Sequence, residues 1–104
     1  MVSLMRLLSR LFTGRKFEGD GYVVRFATSW IGFVYEEADK KMKIYAERMI
    51  DEPGKRSHLA VYVSDLRWDP PNQFLVITDE KAKQINRRLE IALTQLVPGA
   101  ELIG

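Results

Sequence analysis

Four strand-like runs between residues 22 and 64 constrain the fold more than any other feature of the sequence. The first is rich in β-branched and aromatic residues, and the next three alternate apolar and polar positions. The runs cover residues 22–28, 30–36, 41–49 and 57–64. A period of two places apolar side chains on one face of a strand and polar side chains on the other. The pattern therefore predicts an antiparallel sheet with one buried face and one wet face.

A helical pattern follows at the C-terminal end of the chain. Apolar residues recur at intervals of three and four between Thr78 and about Val97, at Ala82, Ile85, Leu89, Ala92, Leu93 and Leu96. Thr78 is a favourable N-cap residue, and the Pro98-Gly99 pair ends the helix. Residues 101–103 can return as a short strand. Because strands and helices are segregated along the chain, we predict an α+β fold with an antiparallel sheet of four to five strands. The C-terminal amphipathic helix is predicted to pack on one sheet face, and a short N-terminal helix precedes the sheet.

The N-terminal residues differ from the rest in charge. The first sixteen contain four basic residues and no acid, whereas the remainder carries 12 basic and 14 acidic side chains. Apolar residues recur at helical spacing between residues 3 and 13. We therefore divide the chain into a basic amphipathic helix, residues 1–17, and a single α+β domain, residues 18–104. The helix can lie on an anionic membrane surface, serve as a transit peptide, or pack on the domain or on a second copy in a homodimer.

The composition argues against several classes of function. The chain has no cysteine and one histidine, His58, and its glycines do not form a phosphate-binding loop. We therefore expect no catalysis, no cofactor and no metal site, with a small enzyme using His58 as the alternative. Since the excess basic charge is confined to the N-terminal residues, nucleic acid is not an expected partner. The absence of cysteine and of a long apolar run favours a cytoplasmic protein.

Aromatic residues are predicted on the wet face of the sheet. Tyr45 lies on the strand face away from Met42 and Ile44, and Tyr62 on the face away from Val61. If the N-terminal helix leaves this face open, it is an aromatic surface suited to binding a protein. If that helix covers the face, the same aromatic residues are structural.

Several segments resemble a family of small bacterial immunity proteins from polymorphic-toxin loci. The resemblance runs over residues 21–104 and is carried by Trp-Asp-Pro-Pro at 68–71, by residues 77–85, 89–93 and 99–102, and by the acidic Glu47. It implies an α+β fold, no catalysis and tight binding of a cognate toxin. The basic N-terminal helix departs from the family pattern.

We predict a protein-binding domain, plausibly an immunity protein that neutralises a toxin by occluding its active site. The predicted contact residues are Trp68, Asp69 and Tyr62. Trp68 has a second interpretation, as a core residue that holds the Pro-Pro loop against the sheet. A membrane-surface or structural accessory domain, anchored through residues 3–13, is the alternative function.

Overall fold

The four strand-like runs all lie in one six-stranded sheet in the computed structural model, which describes residues 15–50 and 57–104. The strands lie side by side in chain order and are β1 (Lys16–Gly19), β2 (Tyr22–Phe26), β3 (Gly32–Glu37), β4 (Lys40–Ile50), β5 (Ser57–Tyr62) and β6 (Glu101–Ile103). The helix α1 (Asp79–Leu96) lies between β5 and β6 in the sequence. The prediction of an α+β fold is therefore confirmed.

The strand count and the strand directions differ from the prediction. Strands β1 to β5 pair antiparallel with their neighbours, but β6 pairs in parallel with β5. A parallel pair needs a long crossover, and here the segment containing α1 provides it. The sheet is therefore mixed and six-stranded, and the prediction of an antiparallel sheet with four to five strands is wrong in those two respects.

The additional strand at the start of the sheet is β1, which was not predicted from the sequence. It contains one large apolar residue, Phe17, and forms a hairpin with β2 in which Gly19 pairs with Tyr22. Gly21 in the turn has φ of 83°, a conformation that favours glycine. The strand runs across the predicted boundary between residues 17 and 18. The predicted N-terminal helix, residues 3–13, lies outside the described part of the chain.

The hydrophobic core lies between α1 and one face of the sheet. The helix contributes a buried stripe that matches the predicted one closely, consisting of Ile85, Leu89, Ala92, Leu93 and Leu96. The sheet contributes Val24, Phe33, Tyr35, Met42, Ile44 and Val61, all of them nearly inaccessible to solvent. Strand pairing aligns Phe17, Val24, Tyr35 and Met42 in one row across β1 to β4. The predicted packing of the C-terminal helix on one face is confirmed.

Each end of α1 is closed by a polar contact. At the N-terminus, the Thr78 hydroxyl accepts a hydrogen bond from the Lys81 amide at 3.1 Å. The last turn, residues 93–96, contains no basic residue, and the Arg15 guanidinium instead donates to the Leu96 carbonyl at 2.8 Å. A cation at this position complements the negative end of the helix dipole. Among the described residues, no helix is both long enough and apolar enough to cross a membrane.

We expect Leu89→Ala to lower the free energy of unfolding by about 2–5 kcal/mol, because Leu89 is fully buried and alanine leaves a cavity. Ile91→Ala, two residues along the same helix at an exposed position, is the control and should cost less than about 0.5 kcal/mol. Urea unfolding followed by circular dichroism measures both. Equal losses in the two variants would contradict this packing.

Candidate binding surface

The sheet face opposite α1 is called the outer face. The alternation of side chains along β4 to β6 shows which residues lie on it. On these strands it carries Lys41, Lys43, Tyr45, Glu47, Met49, His58, Ala60, Tyr62, Glu101 and Ile103. Three of the large apolar members are exposed, namely Tyr45, Met49 and Ile103. The prediction that Tyr45 and Tyr62 point away from the buried residues of their strands agrees with this register.

Tyr45 is held in an aromatic pair with Trp30. The two ring centroids are 5.0 Å apart at an interplanar angle of 42°, and Tyr45 nevertheless remains 56% exposed. Gly32 makes the pair possible, because its φ is 149° and a Cβ there would collide with the Trp30 ring and with the Ile44 backbone. The absence of a side chain at Gly32 therefore leaves the room that the Trp30 ring occupies.

Hydrogen bonds also fix the neighbouring polar groups of the outer face. The Tyr62 hydroxyl donates to the Glu47 carboxylate at 3.1 Å, from β5 to β4. This bond to Glu47 raises the pKa of Tyr62 above its usual value. His58 Nε2 lies 3.0 Å from the Glu101 carboxylate, which links β5 to β6. These cross-strand bonds limit the conformations of the side chains that a partner would meet.

Trp68, a predicted contact residue, is buried in the core. Its ring lies 6.2 Å from that of Tyr35, and the Lys40 ammonium sits 5.6 Å above its centroid. This position matches the second interpretation of Trp68, in which it anchors the loop to the sheet. Asp69 follows directly, and its amide donates to the Lys41 carbonyl at 2.7 Å. Asp69 itself is half-buried at the margin of the sheet.

The structure does not bring the three predicted contact residues into one surface. Tyr62 lies on the outer face, whereas Trp68 packs against Tyr35 on the helix side of the sheet. Asp69 is anchored beside Lys41, at the opposite end of β4 from Ile50.

The outer face carries the ionisable side chains of His58 and Glu101. Among residues 15–50 and 57–104, no group of three or more His, Cys, Asp or Glu side chains is arranged to hold a metal ion. Among the described residues, His58 Nε2 contacts the largely exposed carboxylate of Glu101.

A polar cluster that sequence analysis missed joins α1 to the sheet. Arg88 donates to the Tyr35 hydroxyl at 2.8 Å, and that hydroxyl donates to Glu37 at 3.1 Å. Lys81 donates to the other oxygen of Glu37 at 2.5 Å. The Arg88 guanidinium also lies 4.8 Å above the Tyr22 ring. The available signal was the spacing of Lys81 and Arg88, which are two helical turns apart and flank the buried stripe.

Within this cluster, the pKa of Tyr35 is strongly raised. Burial is the main cause that raises the pKa of Tyr35 to about 12, although the hydrogen bond from Arg88 opposes it. Tyr35 is therefore neutral at physiological pH and serves as a hydrogen-bond relay between a cation and a carboxylate. Such a satisfied cluster favours a structural role.

The loop before α1 carries a second feature with no core role. Residues 74–76, called the loop tip, are Phe74, Leu75 and Val76, with exposed fractions of 88%, 53% and 86%. The sequence shows a short apolar run here, but periodicity does not reveal whether so short a run is buried. The structure places it in solvent.

We expect Tyr35→Phe to destabilise the protein by about 1–3 kcal/mol, because Arg88 and Glu37 each lose a buried partner. Tyr62→Phe is the matched control, since it removes a hydroxyl whose hydrogen bond is exposed, and it should cost less than about 0.5 kcal/mol. Guanidinium unfolding at neutral pH measures the difference. A Tyr62→Phe loss as large as that of Tyr35→Phe would count against the cluster.

Stability should also depend on alkaline pH through Tyr35. An unfolded tyrosine ionises near pH 10, whereas folded Tyr35 does so near 12, so the unfolded state loses its proton first. The stabilisation is complete below pH 10 and is lost as the pH rises through 12. The wild-type unfolding free energy should therefore fall more steeply over this window than that of Tyr35→Phe. Parallel curves would show that Tyr35 has no such linkage.

Comparison with models of protein families, with curated proteins and with solved structures finds no significant match for this chain.

Proposed function

We propose that the protein is a non-catalytic protein-binding domain and that its outer face forms the contact surface. The observation that carries the proposal is the exposed Tyr45 ring, paired with the half-buried Trp30, beside the Tyr62–Glu47 hydrogen bond. Aromatic side chains with a polar group at one end are enriched at protein interfaces and at their energetic hot spots.

The exposure of these rings is not required by the packing of the core. Helix α1 closes the opposite face of the sheet, and among the described residues the core already contains fourteen buried residues. Tyr45 and Met49 could be polar without affecting that core, since their side chains point away from it. Their presence on the outer face supports a role in binding.

A partner binds more tightly to side chains whose positions are already restricted before binding. Gly32 leaves room for the Trp30–Tyr45 pair, and the Glu47 carboxylate accepts a hydrogen bond from the Tyr62 hydroxyl. Side chains that are ordered before binding lose less conformational entropy when the complex forms. A rigid sheet face of this kind can cover a partner's active site and exclude its substrate.

The resemblance of residues 68–71 and 77–85 to immunity proteins suggests the partner, a toxin that this domain neutralises by occlusion. In this proposal, Tyr62 contacts the toxin directly, and Trp68 acts indirectly by fixing the loop from which Asp69 projects. The mechanism needs no cofactor and no chemistry on the partner.

Gene context provides the first test. The full chain, co-expressed with the product of the adjacent gene, should copurify as a stoichiometric complex and abolish that product's toxicity. A neighbour that is not toxic, together with no complex on size exclusion, would remove the support for an immunity function.

Substitutions on the outer face test the surface itself. Tyr62→Ala and Tyr45→Ala should each weaken binding of that gene product by about 10- to 100-fold, as expected for interface hot spots. Ile91→Ala, at an exposed site on α1, is the control and should bind like the wild type. Calorimetric titration gives the affinities, and thermal unfolding checks the fold. Wild-type affinity in both tyrosine variants would show that the partner contacts another surface.

A further inference from the structure

The sheet face that carries the core extends beyond its buried residues. The Ala46 amide donates to the Ile31 carbonyl at 3.1 Å, and Ala46 pairs with the buried Val61, so Ile31 and Ala46 lie on the core side. The alternation of side chains along β4 and β5 adds the next positions on that side. This surface, called the inner extension, consists of Ile31, Ala46, Arg48, Ile50 and Leu59.

The inner extension is largely apolar and is open to solvent. Ala46 and Leu59 pack partly against the core, but Ile31 is 63% exposed and Ile50 is 66% exposed. Leaving two isoleucine side chains in water forgoes the stabilisation that their burial would give. Because both lie on the face that α1 covers elsewhere, a second element packed beside α1 would complete the core at this end.

The chain enters the described structure at the same end of the sheet. The Arg15 carbonyl accepts a hydrogen bond from the Phe26 amide at 3.3 Å, so residue 14 lies beyond the last residue of β2. Ile31, which directly precedes β3, lies at that end as well, because β2 and β3 are antiparallel. The Arg15 guanidinium lies 5.4 Å over the Phe26 ring and reaches the Leu96 carbonyl, which places its side chain on the core side.

The residues that precede Arg15 have the pattern that the inner extension requires. On a helix of residues 3–13, one face carries apolar side chains, those of Leu4, Leu7, Leu8, Leu11 and Phe12. Such a helix is about 16 Å long, and β4 lies about 14 Å from β1 at the usual strand spacing. The helix is therefore long enough to reach the inner extension from the start of β1. A helix this short is marginal in water and needs a surface on which to pack.

We propose that residues 3–13 form a helix that packs on the inner extension, with its apolar face against Ile31 and Ile50. Arg6 and Arg10 lie on the opposite helix face and remain in water, and Arg48 keeps its guanidinium solvated beside the helix. One contact then removes both apolar surfaces from water. The covalent connection also gives this segment a high effective concentration at the inner extension, which favours it over a second copy or a membrane. The outer face stays open, and the inference does not depend on toxin binding.

The absence of cysteine allows a spin label to be attached at one introduced site. In the full chain, Ser9→Cys lies on the polar face of the predicted helix, and its nitroxide should broaden the Ile50 amide resonance strongly. The resonance of Lys41, at the other end of β4, should stay sharp. Unlabelled ¹⁵N chains mixed with spin-labelled ¹⁴N chains should show no broadening. No broadening at Ile50, or equal broadening in the mixture, would overturn the proposal.

Trypsin gives a second measurement, because Arg10 is a cleavage site within the segment. Ile50→Ser should speed cleavage after Arg10 by about tenfold, since cleavage follows the fraction of chains in which the segment is undocked. Met49→Ser is the matched control, because the adjacent side chain lies on the outer face, and it should be cleaved at the wild-type rate. An unchanged rate in Ile50→Ser, or acceleration in Met49→Ser instead, would contradict docking on the inner extension.

Sedimentation with vesicles distinguishes this occupant from a membrane. The wild type should remain in the supernatant when phosphatidylcholine–phosphatidylglycerol vesicles are pelleted, because the apolar face of the segment is already covered. Leu7→Ser removes one side chain from that face and should accelerate cleavage after Arg10 as Ile50→Ser does. Wild-type binding to the vesicles that is lost in Leu7→Ser would identify the membrane as the occupant and would overturn the proposal.

Discussion

The packing of α1 on one face of the sheet is the interaction on which the rest of the structure depends. Ile85 and Leu89 contact a layer of fully buried strand residues that includes Tyr35 and Met42. Removing this apolar surface from water is the dominant favourable contribution to folding. Once one face is closed, the alternation of each strand determines which side chains remain on the other.

Polar contacts then fix the helix on the sheet at both ends. The Arg88–Tyr35–Glu37–Lys81 cluster lies toward the N-terminal half of α1, and the Arg15–Leu96 contact lies at its C-terminus. Apolar packing alone is not directional, whereas hydrogen bonds and ion pairs require defined positions. The combination gives a platform on which the outer face and the loop tip are both held.

The outer face and the loop tip differ in chemistry. The outer face combines aromatic rings with hydrogen-bonded polar groups. The loop tip carries three consecutive exposed apolar side chains. Gly32 leaves room for the Trp30 ring on the outer face, and the buried Trp68 anchors the chain that leads to the loop tip.

Strands β2 to β5, the short β6 and α1 could be predicted from the sequence, because each carries a hydrophobic period or flanking turn residues that act locally. It also placed Tyr45 and Tyr62 on the outer face, since a period of two allows no other assignment once Met42 and Val61 are buried. Strand β1 escaped prediction because four residues with one large apolar side chain have no period of their own and become a strand only by pairing with β2.

Three features could not be predicted from local pattern and depend on contacts between distant elements. They are the direction of β6, the burial of Trp68 and the polar cluster around Tyr35. The direction of β6 depends on the side from which α1 returns the chain to β5. Trp68 belongs to a loop, where no periodicity reports burial, and its environment is made by Tyr35 and Lys40 from distant strands. Glu37 and Lys81 are 44 residues apart, so their contact exists only when the helix lies on the sheet. Local pattern fixes which face of an element is apolar, whereas contacts between elements arise from the way those faces are brought together.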